Sequence, residues 1–248
     1  VQTCALPISF AQSPFEEIGG AIGVVDGRTR FDRSTVVADV GRDAANGWEA
    51  MGGVVGRVDG WLRIDRSTVE ADVGSDAAQA QQRIGGVAGW VHAGSDTEIT
   101  ATTVSGTTGG GQYVGGVIGS VGGNPEGEAV ARTVVGDLRW RGRVEAAATA
   151  AGGVVGASEG TELVVERAVL RGDVRVTGGR PNDYGGGVAG WIKPGPIEEG
   201  RATFSQMDVA ADVAVGDGNA GGIAGRVNSA VPVVTHDARV VGDVEGGD

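Results

Sequence analysis

The chain has 248 residues, a formal net charge of −12 and 48 glycines, close to one residue in five where a globular protein has about 7%. Glycine costs backbone entropy in helices, which excludes a helical protein, and seven prolines without a G-X-Y period exclude collagen. Hydrophobic residues at 40% exclude simple disorder, one cysteine excludes a disulfide framework, no run of about 18 apolar residues is available for membrane insertion, and the acidic balance argues against nucleic acid.

Residues 1–8, VQTCALPI, carry the only cysteine, Cys4, and share no pattern with the rest of the chain. They read as the translated tail of a sequencing-library adapter, with residues 9–17 as a lead-in, and on that reading the natural N-terminus lies upstream. From residue 18 to 248 the chain reads as one repeat domain, cut at both ends from a longer protein. The pentapeptide GG-(V/I/A)-(V/I/A)-G starts at Gly19, Gly52, Gly85, Gly115, Gly152, Gly186 and Gly221. A second element follows it: FDRSTVVADV ending at Val40, IDRSTVEADV at Val73, VERAVLRGDV at Val174 and FSQMDVAADV at Val213. Weaker copies are AVARTVVGDL ending at Leu138 and THDARVVGDV ending at Val244, and ITATTVSGTT departs most. A period of roughly 34 residues means a solenoid, propeller or array.

Paired glycines in every unit rule out helical repeats, and the valine-rich alternating segments read as short strands. Counting from the first glycine, positions 3 and 7 are almost always apolar while position 6 varies, so 3, 5 and 7 are expected inward and 4 and 6 outward. In the second element Ile64, Arg66 and Thr68 alternate against Asp65 and Ser67, and A-D-V makes a further strand. The expected fold is an all-β solenoid, parallel β-helix-like, of about seven coils with three strands each. A layered polyproline-II glycine sandwich is the second choice, and GG-x-x-G supports it only locally. The inward glycine at position 5 is expected to make room for a large opposing side chain. The aspartates of A-D-V and G-D-V (Asp39, Asp72, Asp137, Asp173, Asp212, Asp243) are expected at a corner as Asx turns. A calcium ladder is the alternative, but it needs more oxygens per ion.

These units resemble the GLUG-repeat family of bacterial and archaeal surface proteins, adhesins among them. GGVVG and GGVAG stand where that family has GG-Leu-hydrophobic-Gly, and ADV or GDV where it has its closing Gly-polar-Val. Valine or alanine replaces the leucine here, and the polar centre carries acidic residues and arginine. The resemblance implies a secreted or cell-surface location and a repeat scaffold, and supplies no catalytic residues.

The chemistry-bearing residues are sparse. His92 and His236 fall in different coils, no G-x-S-x-G elbow occurs, and SGTTGGGQY (105–113) lacks the lysine of a phosphate loop. No catalytic residue, metal or cofactor is expected. One outward row stands out at position 6, with Arg57, Trp90, Trp191 and Arg226 as candidate binding residues. Ala88 and Ala189 accompany the two tryptophans, which suggests a partly covered, aromatic-clustered face. Lengthened loops at 121–132, 177–184 and 192–200 are the second place to bind. The expected function is a non-enzymatic structural or adhesive segment. Its partner would be a glycan or protein surface, or a second copy through the coil ends, with neither nucleic acid nor membrane insertion. The alternatives are a polysaccharide-processing β-helix enzyme or a self-assembling filament subunit.

Overall fold

The computed structural model describes residues 3–8, 17–41, 50–74, 82–123, 130–195 and 200–247. Every strand pairing is parallel, and together they build a β-solenoid of about six turns with about 34 residues per turn. Seven pentapeptides bound six complete turns, which accounts for the difference from the seven expected. Each coil holds four short strands where three were expected. In the third coil they are Arg83–Gly85, Ala88–Val91, Asp96–Thr100 and Thr103–Gly110. The first and second strands each stack into a seven-stranded ladder. The third and fourth form two further ladders, joined where Arg201–Val215 runs through both as one strand. At the opposite end Thr3–Ile8 adds to Thr35–Val40, residue for residue.

The alternation of each strand explains its burial. In the fourth strand of the second coil Val69, Ala71 and Val73 are buried, while Glu70 and Asp72 face solvent. In the third strand Leu62 and Ile64 are buried between half-buried Trp61, Arg63 and Asp65. The alternation does not run through the junction of these two strands. Arg66 adopts φ 50°, in the left-handed region, and the phase resets there. Ser67 is therefore buried and donates its hydroxyl to the Asp65 carbonyl at 2.8 Å, whereas Arg66 and Thr68 face out. Arg33, Ala101, Asp137, Arg167, Gln206 and Asp237 hold the same conformation at the same place in the other coils. The corner is thus made by residues with a Cβ and not by glycine. Hydrogen bonding into adjacent coils, such as Arg66 N–H to the Thr100 carbonyl at 3.1 Å, helps to hold it.

The recurring glycines do something else. A Cβ on Gly52 would lie 2.0 Å from the Val55 carbonyl oxygen, and one on Gly89 would lie 2.4 Å from the Met51 nitrogen. Positions 1 and 5 are therefore where the first- and second-strand ladders meet backbone to backbone. Position 5 does not accommodate an opposing side chain, as the sequence had suggested. Position 4 is also corrected: Val55, Ala88, Ile118, Val155 and Ala189 are fully buried in the core.

Candidate functional site

Position 6 forms a continuous row, with Arg57, Trp90, Ser120, Ala157, Trp191 and Arg226 on successive coils. Beside it runs a row from the first strand, two residues before each glycine pair, that includes Arg83, Tyr113 and Tyr184. The two rows meet as two aromatic–cationic clusters. In the first, Trp90 is 7% exposed. The guanidinium carbons of Arg57 and Arg83 lie 5.0 and 4.1 Å from its ring, and His92 meets it edge-on at 4.7 Å. Its indole Nε1 donates to the Gly122 carbonyl at 2.7 Å, reaching across the neighbouring coil. Arg57 donates to Asp59 at 2.7 Å and to Glu17 at 3.1 Å. Burial pulls its pKa down, but the two carboxylates outweigh burial and hold it above its ordinary value.

The second cluster is more open. Half-buried Trp191 has Lys193 Nζ 4.6 Å from its ring, Tyr184 at 5.2 Å and the Arg226 guanidinium at 6.0 Å, and donates to Asn228 at 3.0 Å. Arg226 donates to the Tyr184 hydroxyl, and Lys193 pairs with Glu159 at 2.8 Å. Ser120 and Ala157, both small, sit between the tryptophans in the same row and are themselves buried. The structure thus brings Arg57 to Trp90 and Trp191 to Arg226. The two pairs are separated by three coils, roughly 14 Å at about 4.8 Å per coil. Arg83, Tyr113, Tyr184, Lys193 and His92 are members that inspection of position 6 alone missed. The spacing of two residues before the glycine pair is the signal that finds three of them.

Asp39, Asp72, Asp173 and Asp212 are not corner residues. Asp72 lies within a fourth strand, and its Oδ1 accepts the backbone N–H of Thr107 in the next coil at 2.8 Å; Asp212 does the same for Asp243 at 3.0 Å. These carboxylates bridge coils where the ladder pairing lapses beside Gly106 or Gly242, both at positive φ, without a change of register. Asp137 is a different residue altogether. It occupies the left-handed corner, paired with Arg167 at 2.8 Å. Arg167 as hydrogen-bond donor holds the Asp137 carboxyl below its usual range. The fourth coil's counterpart of IDRSTVEADV is therefore 135–144, six residues after the copy read from sequence.

That shift exposes a second surface. Arg139, Arg141 and Arg143 lie on the outer face of one fourth strand, and Arg171 stands beside Arg141 on the next. Gly106, Gly142 and Gly172 stack between them as a floor, and the whole forms an open trough of about 500 Å³. A Cβ on Gly142 would lie 2.1 Å from the Gly106 carbonyl oxygen, so the floor must be bare backbone.

Of the loops, 177–184 is ordered by Asp183, which is 1% exposed and accepts from the backbone N–H of Thr149 at 2.8 Å and of Arg180 at 3.1 Å. The other two fall partly outside the described residues, at 124–129 and 196–199. His236 lies 3.2 Å from Asp237, far along the axis from His92. Compared with family models, curated proteins and solved structures, the chain finds no match.

Proposed function

We propose that the chain is a non-enzymatic structural and adhesive segment of a secreted or cell-surface protein, of the kind the GLUG-repeat resemblance implies. The observation that carries this reading is where the carboxylates go. Glu17 pairs with Arg57, Asp32 with Arg66 and Asp137 with Arg167, each across a coil boundary. Asp208 takes both Arg171 and Arg239, tying three coils. Acids that an enzyme would converge on a substrate are distributed along the axis as cohesion between coils. The result is a short rod, about 29 Å for six coils at about 4.8 Å each. Such a rod presents flat, repeated faces suited to a glycan or protein surface. The more open aromatic cluster, Trp191 with Arg226, is the proposed contact, because aromatic and guanidinium groups dominate recognition hot spots.

The test is adhesion of cells that display residues 17–247, against glycan-coated and protein-coated surfaces. The expected result is adhesion above cells displaying an unrelated rod, weakened in a Trp191→Ala, Arg226→Ala variant that keeps its β-rich circular dichroism. Release of new reducing ends from polysaccharide by the purified chain would instead support the enzyme alternative. Concentration-dependent growth in sedimentation velocity would support the filament.

A further inference from the structure

The fourth-strand face of the fourth and fifth coils carries a charge opposite to that of the chain as a whole. Arg141 is exposed, and no described carboxylate lies within ion-pair distance of it; the same holds for Arg139. Its ladder partners are Ser105 on one side and Arg171 on the other, and its strand neighbours on that face are Arg139 and Arg143. Like charges directly opposite one another destabilise a sheet. In a chain of net charge −12, with acids available, an arginine ringed by three others is a cost to the free protein. Arg143 and Arg171 do have carboxylate partners, Glu145 at 2.8 Å and Asp208 at 2.5 Å, which orient them while leaving Arg141 uncompensated.

We infer that this trough binds an acidic glycan, with Arg141 and Arg143 taking its carboxylate or sulfate group and Ser105 and Thr107 its hydroxyls. The inference deepens the adhesive reading and rests on it. Charge complementarity selects an anion, and guanidinium forks match oxyanions bidentately. The lining selects a sugar acid among anions. It consists of three arginines, three glycines, a serine and a threonine, and holds no aromatic ring on which a nucleobase could stack. The strands beneath are laddered on both sides, so the trough offers no free edge for an acidic peptide to extend. Nearby Glu70, Asp72 and Asp173 repel a polymer charged as densely as nucleic acid, yet they accept hydrogen bonds from hydroxyls.

The experiment is calorimetric titration of the purified chain with oligogalacturonate, a heparin-derived oligosaccharide, a neutral malto-oligosaccharide and single-stranded DNA, at two salt concentrations. The expected result is salt-sensitive binding of at least one acidic glycan and none of the neutral one. Arg141→Ser with Arg143→Ser should weaken it about tenfold or more, while Arg28→Ser, at an exposed arginine on the third strand of the first coil, leaves it unchanged. Whether the carboxylated or the sulfated oligosaccharide binds more tightly identifies the charged group. Arg141→Ser alone should leave the melting temperature unchanged or raise it, because a like-charge contact is relieved. The inference is overturned if neither acidic glycan binds, if DNA binds more tightly than both, or if the arginine variants bind as the parent does. A marked loss of stability in Arg141→Ser would overturn it too, by assigning the arginine to the fold. Adhesion by displayed cells that persists without acidic-glycan binding would remove the trough and leave the adhesive reading standing.

Discussion

Replacing Gly89 by alanine adds one methyl group at the place where two ladders touch through their backbones. An ideal Cβ there would lie 2.4 Å from the Met51 nitrogen, 2.7 Å from the Gly56 oxygen and 2.7 Å from the Met51 oxygen. All three are main-chain atoms held in ladders, so no side chain can swing aside. Relief requires the two ladders to separate by about 1 Å over neighbouring coils, and overpacking of ordinary cores already costs about 1–3 kcal/mol. A loss of about 3 kcal/mol or more is expected, which for a chain of this size lowers the melting temperature by about 6–12 °C. The control is Gly27→Ala, where a Cβ would meet nothing within 4 Å and φ lies outside the left-handed range. That substitution should stabilise by about 0.4–1 kcal/mol by restricting the unfolded chain. Thermal and urea unfolding followed by circular dichroism read both. If Gly89→Ala unfolds within about 0.5 kcal/mol of the parent, the close backbone approach is not what the glycines are for.

Three other substitutions probe different parts of the coil. Thr133 is fully buried with no hydrogen-bond partner for its hydroxyl, so Thr133→Val should stabilise by about 1 kcal/mol in urea unfolding; a loss of similar size would show that the hydroxyl is satisfied. Ala101 holds φ 48°, and Ala101→Gly should gain about 0.5–1 kcal/mol by relieving the left-handed corner, with destabilisation contradicting the strain. Asp137 and Asp208 are held below the ordinary carboxyl range by hydrogen bonds from Arg167 and Arg171. For Asp65, burial pushes upward and is outweighed by Thr100 and Arg66. A lowered folded pKa contributes stability that is complete above the unfolded value near about 4 and is lost as pH falls through the folded value. Stability should therefore decline below about pH 4, and Asp137→Asn, which tolerates the same backbone, should remove part of that decline. Superimposable acid profiles for parent and variant would refute the assignment.

The period, the strand class and the direction of stacking were legible in the sequence because paired glycines and alternating valines repeat with little drift. Two physical facts were not. A left-handed residue resets alternation without altering composition, so Arg66 and Thr68 were assigned to one row with Ile64 and the two strands around them were misjudged. Glycine's role was also read from its missing side chain, when the constraint at Gly52 and Gly89 is the main chain facing it. The missed trough has a specific cause. Aligning Asp137 with the A-D-V aspartates ended the fourth coil's element at Leu138, which left RWRGR (139–143) unassigned and hid three outward arginines on one strand. The aromatic row was found, but Arg83 and Tyr184 beside it lie on a strand about seven residues earlier, where only the register brings them alongside.

The backbone contact between the first- and second-strand ladders also governs how such a chain can change length. Because the contact uses only glycine and main-chain atoms, every coil presents the same mating surface to the next, whatever its third and fourth strands carry. Duplication or loss of a whole unit preserves each of these contacts, and unit lengths from 30 to 37 residues are absorbed in the connecting loops, whereas a one-residue shift within a pentapeptide brings a Cβ into its gap. Rod length is therefore open to unequal recombination between units, and the outer faces can diverge coil by coil. An arginine-rich pair of coils can arise within an acidic rod without any compensating change in its axis.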